Sequence, residues 1–178
     1  MAIRQIQAVR SVLDGTFQAP PSKSATHRAL VAAALAAGHT RLIDPLDSVD
    51  TRVTLAGLQA MGVRCGAAPE GWWVDGVPQG SLPGAGTVNL GETGTSMRFL
   101  AALAGLGSRP TCFRGEGRLP FRPLEELLQV LEKLGALVSR PADGLTLPLT
   151  VGSGPGPARG GEVMIRSDRS SQFASALL

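Results

Sequence analysis

The residues of this chain best suited to chemistry are hydroxyls, amides and cations gathered where helices should begin. Lys23 stands between Ser22 and Ser24, with Arg28 about one helical turn further on. Gly94 leads into Thr95, Ser96 and Arg98. Arg118 and Arg122 occupy a segment closed by Pro123, and Ser170, Ser171 and Gln172 form a fourth group. Backbone amides at a helix start carry partial positive charge and have no intrahelical partner. Hydroxyls, an ammonium and guanidinium groups beside them therefore suit a phosphate or a carboxylate. Each segment also has a plainer reading, as an N-cap, a tight turn or a solvated arginine. The first is not a P-loop, because the glycines that let such a loop wrap a phosphate are missing before Lys23. Arg122 precedes a proline, so its backbone should be extended and its side chain free to project.

Three of these segments look alike. Residues 24–33, 94–103 and 169–178 align without gaps, and each passes from polar to apolar residues as a helix start does. A second match supports the repeat: Leu131-Glu132-Lys133-Leu134-Gly135-Ala136 parallels Leu58-Gln59-Ala60-Met61-Gly62-Val63. The repeating unit reads strand–helix–strand–helix–strand–strand. In the first unit we expect helices over 25–37 and 51–61, stopped by Gly38 and Gly62, the second capped by Ser48-Val49-Asp50. Strands should lie near 40–43, 63–65 and 72–74, with a turn at 69–71. The second unit should carry strands at 87–90 and 111–113, helices at 95–106 and 123–134, and strands near 137–139 and 145–147. Leu124, Leu127, Leu128, Leu131 and Leu134 share one face of its second helix. Beyond a Gly/Pro-rich loop from Gly152 to Gly161, a strand over 162–166 should open a third unit. Residues 3–17 read as a strand pair turning at Asp14-Gly15. The fold class is α/β (α+β), with units burying their helices against one another. The third unit is cut short, which leaves one interface open.

The chain has 178 residues, 43% of them hydrophobic, enough for one filled domain or a domain and part of another. No apolar run approaches the ~20 residues of a membrane helix, and no leader pattern opens the chain. The expectation is a soluble cytoplasmic protein. A net charge of +3, spread out and without interleaved aromatics, argues against nucleic acid and suits small anions. Lys23 and Lys133 are the only lysines among the basic residues, a hint that the site near Ser24 needs a compact ammonium. Cys65 and Cys112 read as free thiols in a reducing compartment. Neither they nor His27 and His39 show metal-ligand spacing.

In this order, the motifs resemble the enolpyruvyl transferase family over nearly the whole chain. The resemblance rests on Ser22-Lys23-Ser24 with Arg28, Ser48-Val49-Asp50-Thr51, Gly94-Thr95 with Met97-Arg98, Arg118, Arg122-Pro123 and Ser170-Ser171-Gln172-Phe173. It is greatest for the branch that moves the enolpyruvyl group of phosphoenolpyruvate to the 5-hydroxyl of shikimate 3-phosphate and releases phosphate. That reaction belongs to aromatic amino acid biosynthesis and uses no metal or organic cofactor. The resemblance implies an inside-out α/β barrel-like domain over residues 19–178, with units at about 19–84, 85–152 and a truncated 153–178. Residues 1–18 would be strands packing with a second domain that this chain lacks. By the same resemblance Lys23 is the catalytic candidate and touches both substrates. Ser24, Arg28, Ser170 and Ser171 would hold shikimate 3-phosphate, and Gln172 would reach both ligands. Gly94 and Arg122 would lie on the phosphoenolpyruvate side. Arg98 and Asp50 read as structural, pairing near the helix starts.

The chain departs from the family in three places. Pro21 stands where glycine is usual, Glu92-Thr93 where Asn-Ala is usual, and Arg169 where a small or apolar residue is more common. Glu92 places a carboxylate near an anion site, which is unfavourable unless neutralised or turned away. Gly94, which lies against the inhibitor glyphosate in the family, is retained. The family's acid/base carboxylates and further phosphoenolpyruvate-binding cations belong to the second domain. The chain alone is therefore expected to be inactive, its partners being small anionic substrates and the missing domain in cis or in trans, with no nucleic acid and no membrane. A rival branch acts on UDP-N-acetylglucosamine; it typically has Lys-Asn at Lys23-Ser24 and a cysteine in the loop matching 115–122, which holds none. An alternative of another class is a non-catalytic module that binds an anion or docks to a partner.

Overall fold

Helix caps and apolar stripes set the first elements. In the computed structural model α1 spans Lys23–Leu35, with Ser22 as N-cap accepting from the Ala25 amide at 3.3 Å. The structure describes residues 5, 8, 12, 14–77, 82–84, 86–155, 160–166, 168 and 170–178. Leu30, Ala33 and Ala34 face the core. The chain turns through Gly38, whose φ of +100° disfavours any side chain, into β1 (Gly38–Leu42). Helix α2 (Val49–Ala60) opens with a capping box: Ser48 Oγ accepts from the Thr51 amide and Thr51 Oγ1 from the Ser48 amide. A hairpin of β2 (Arg64–Ala68) and β3 (Gly71–Gly76) follows.

The second unit runs β4 (Thr87–Asn89), α3 (Gly94–Ala104), β5 (Thr111–Arg114), a 3-10 turn at Leu119–Phe121, α4 (Glu125–Lys133), β6 (Ala136–Ser139) and β7 (Leu149–Ser153). A last helix, α5 (Gln172–Leu177), begins the third. The first sheet has the order β1-β3-β2 and the second β4-β5-β7-β6. Strand for strand, β1-β3-β2 repeats β5-β7-β6, antiparallel at every step, while β4 adds a parallel neighbour to β5. Among the described residues no strand flanks β1 as β4 flanks β5. The described residues form a mixed α/β fold of two open sheets and five α-helices, without a closed barrel.

One apolar core joins the units, with Leu58, Met61, Leu100, Phe113, Leu127, Leu149 and Phe173 all fully buried. Gly57 lets α2 approach both neighbours: a Cβ there would lie 3.3 Å from Val88 of β4 and would collide with Leu100 of α3. Strand β4 thus belongs to the second sheet yet packs on a helix of the first unit.

Several expected strands are displaced or missing. The segment 145–147 is not a strand; the Thr146 amide donates to the Pro120 carbonyl at 2.8 Å and its hydroxyl to the Arg122 carbonyl at 3.0 Å. Its hydrogen bonds go to the arginine loop, and the strand forms only beyond Pro148. Gly152 and Ser153, expected in a loop, close that strand. Residues 162–166 form no strand, and Met164 is 91% exposed. Residues 14–17 form no strand either, and most of the expected pair over 3–17, like Arg169, lies outside the described residues. Helices run within about two residues of their expected ends. No helix of the described residues is long and apolar enough to cross a membrane.

Candidate functional site

The starts of α1, α2 and α3 come together around a buried polar chain. His27 Nδ1 lies 2.8 Å from Thr54 Oγ1, which lies 2.8 Å from Ser96 Oγ, and Ser96 Oγ lies 3.2 Å from the Asp50 carbonyl oxygen. His27, Thr54 and Ser96 are each 0% exposed. A carbonyl only accepts, so Ser96 donates to Asp50, Thr54 donates to Ser96, and His27 donates its Nδ1–H to Thr54. The buried Nε2 has no hydrogen-bond partner among the described residues, which disfavours a second ring proton and keeps the imidazole neutral. Burial lowers its pKa to about 4, with Lys23 pushing the same way and Asp50 opposing. Phe99 stacks against the ring at 6.4 Å.

At the rim of this chain Lys23 Nζ meets Asp50 Oδ2 at 2.8 Å. Asp50 was expected beside Arg98; the structure gives it to Lys23 instead, because the α1 and α2 starts adjoin. Arg98 turns towards α5. Its Nη1 donates to Gln172 Oε1 at 2.7 Å, its Nη2 to the Pro123 carbonyl at 3.3 Å, and its guanidinium lies 5.1 Å from the centre of the Phe173 ring. Gln172 Nε2 donates to Thr95 Oγ1 at 3.1 Å.

Gly94, the first residue of α3, lies against two cations. A Cβ there would lie 3.2 Å from Arg122 Nη1 and 3.4 Å from Arg98 Nη1. Arg122 is extended at φ −79°, ψ 138°, as its place before Pro123 requires. Among the described residues neither arginine is paired with a carboxylate. Burial and the neighbouring Arg122 both depress the Arg98 pKa. Two guanidinium groups beside a helix start with no side-chain cap, and with no carboxylate paired to them among the described residues, are chemically able to hold an anion. Glu92 lies elsewhere on this rim, its carboxylate against Gly117 of the arginine loop.

Of the residues singled out from the sequence, Gly94, Arg122 and Gln172 come together through Arg98. Arg28, the repeat counterpart of Arg98, donates to Ser175 Oγ of α5 at 3.0 Å. Ser170 Oγ accepts from the Gln172 amide at 3.2 Å, and Ser171, the N-cap of α5, makes no capping bond with its side chain. Lys23 and Ser24 stand exposed at the α1 start, and Arg118 is exposed at the head of the 3-10 turn. The linking role of Arg98 was missed, although its equivalence to Arg28 in the repeat was a signal for it. The His27–Thr54–Ser96 chain had no sequence signature.

The fold is a repeated α/β unit that brings three helix starts and the cations Lys23, Arg98 and Arg122 to one rim. Residues 8–178 match the EPSP synthase (3-phosphoshikimate 1-carboxyvinyltransferase) family model, and the chain belongs to that family. It is 39% identical over 170 residues to the 3-phosphoshikimate 1-carboxyvinyltransferase of Methanocorpusculum labreanum, covering 95% of this chain and 39% of that protein. The Thermococcus kodakarensis protein of the same name is 41% identical over 180 residues, covering 100% of this chain and 40% of its own length. The structure resembles that of EPSP synthase from Acinetobacter baumannii, with a TM-score of 0.81 and 28% identity, covering 92% of this chain and 37% of that one. The chain thus spans about two fifths of the length of the relatives it matches.

Proposed function

We propose that this chain forms the part of an enolpyruvyl transferase site, in the cytoplasm, that holds shikimate 3-phosphate and one side of phosphoenolpyruvate. The polypeptide that makes up the remainder of the relatives, joined in cis or added in trans, would complete the site. The observation that carries the reading is the α3 start, where Gly94 meets Arg98 and Arg122 with no carboxylate paired to them among the described residues, and Gln172 of α5 bonds Arg98 and Thr95. In the reaction a proton adds to the methylene carbon of phosphoenolpyruvate, and the 5-hydroxyl of shikimate 3-phosphate adds to the neighbouring carbon. Loss of phosphate and of a proton from the tetrahedral adduct yields the enolpyruvyl ether. Both substrates are multiply anionic, so fixed cations that offset their repulsion bring them together and stabilise the adduct. In this role Lys23 would touch both substrates, and Ser24, Arg28, Ser170 and Ser171 would hold shikimate 3-phosphate. Arg122 and the Gly94 backbone would take phosphoenolpyruvate, and Gln172 would reach both. Residues 19–178 would act as one domain, with residues 1–18 packing against the remainder.

Calorimetric titration tests this. Shikimate 3-phosphate should bind the chain saturably and UDP-N-acetylglucosamine should not, and Lys23→Ala or Arg28→Ala should abolish the heat. Binding of the nucleotide sugar instead, or unchanged binding by both variants, would refute the assignment. The chain alone should release no phosphate from phosphoenolpyruvate, and adding the remainder of a relative in trans should restore release.

A further inference from the structure

We infer that Arg98 is a positioning residue that orients the Gln172 side-chain amide so that an N–H, and not the carbonyl, is offered to an anionic ligand. The inference rests on the reading of Gln172 as a ligand-binding residue. A guanidinium can only donate, so the amide atom 2.7 Å from Arg98 Nη1 must be the oxygen. That places Nε2 on the other side, where one hydrogen goes to Thr95 Oγ1 at 3.1 Å and the second has no acceptor among the described residues. Turning the amide over would set an NH2 group against a cation and lose the Arg98 bond, while the Thr95 hydroxyl could bond either orientation, so Arg98 alone sets the choice.

Arg98 is itself held on several sides. Its Nη1 and Nη2 also reach the carbonyls of Gly94 and Pro123 at 3.5 and 3.3 Å, and its plane lies over the buried Phe173. It is 7% exposed, so it cannot swing out to follow solvent. Its charge therefore acts as a fixed reference from which Gln172 takes its orientation. At the equivalent position of the first repeat, Arg28 ties α1 to Ser175 of the same helix. The two arginines together dock the third repeat onto the first two, and only Arg98 also sets a ligand-facing group.

Selective 15N labelling of glutamine side chains in the 178-residue protein reads the orientation directly. The Gln172 NH2 pair is assigned by its disappearance in Gln172→Glu. It should stand apart from the solvent-exposed glutamines, with two well-separated protons. Arg98→Met keeps the length of the side chain and removes every donor, so the pair should collapse to solvent-exposed values. Arg98→Lys should retain part of the separation. The Phe173 ring resonances report whether α5 stays docked. With shikimate 3-phosphate as the probe, Arg98→Met should weaken binding about tenfold or more. Adding Gln172→Ala to it should cost little further, since both remove one contact. A Gln172 amide unmoved by Arg98→Met with α5 docked, or binding losses that simply add, would overturn the inference. If the wild-type chain binds no shikimate 3-phosphate, the substrate reading fails, while the amide spectra still decide whether Arg98 positions Gln172.

Discussion

His27 gives the sharpest quantitative expectation. The fold holds its imidazole neutral, with Nδ1–H donated into the Thr54–Ser96 chain and the pKa lowered to about 4. In the unfolded chain the ring titrates near the ordinary 6.5. Because the folded pKa is depressed, the unfolded state binds the extra proton first, so stability is complete above pH 6.5 and is lost as pH falls towards 4. The full shift corresponds to about 3 kcal/mol, of which about 2 kcal/mol is gone by pH 5. Urea unfolding at pH 7 and pH 5 measures this, with His27→Phe as the partner experiment. The variant removes the proton-binding site, and it loses stability at both pH values because Thr54 is left without its donor. Wild type should fall by about 2 kcal/mol more than His27→Phe between the two pH values, since shared carboxylate effects cancel in the difference. Equal losses in the two proteins would mean that the buried imidazole is not held neutral in the folded chain.

Other perturbations separate folding from binding. Lys23→Ala should change stability by less than about 1 kcal/mol by thermal unfolding, because the Lys23–Asp50 pair is exposed, yet it should abolish shikimate 3-phosphate binding. Gly76→Ala should destabilise by about 3 kcal/mol or more in urea titration, because a Cβ there meets the backbone carbonyls of Ala33 and Ala36 and cannot be relieved by rotating a side chain. Leu58→Ala, at a fully buried site between the units, should cost about 2–5 kcal/mol by the same measurement. Cys65, whose thiol burial pushes up to about 11, should resist iodoacetamide at neutral pH and react only on unfolding.

Local chemistry made much of the fold legible. Ser22 and Ser48 mark helix starts by cap geometry, Gly62 and Gly135 mark stops, and the repeat carried the strand order from one unit to the next. Arg122 was legible because a proline constrains the residue before it. The errors lie where distant partners decide. Residues 145–147 look like a strand, but the Pro120 and Arg122 carbonyls capture Thr146 and shift the strand past Pro148. Arg98 and Gln172 are 74 residues apart, and no local pattern announces their bond. Asp50 had two cations to choose between, and only the packing of α1 on α2 selects Lys23. Periodicity places side chains on faces, whereas the pairing of charges across faces depends on where whole helices dock.

The seat of β4 on α2 has a consequence for how the chain acquires its structure. Val88 sits against α2 where Gly57 lets that helix come close, so the parallel edge of the second sheet needs the first unit as its template. Order should therefore spread from the amino-terminal unit outward during synthesis, each unit nucleating the next, and pulse-labelled hydrogen exchange should find α2 protected before β4. A substitution such as Leu58→Ala would then slow the maturation of a sheet in which it takes no part.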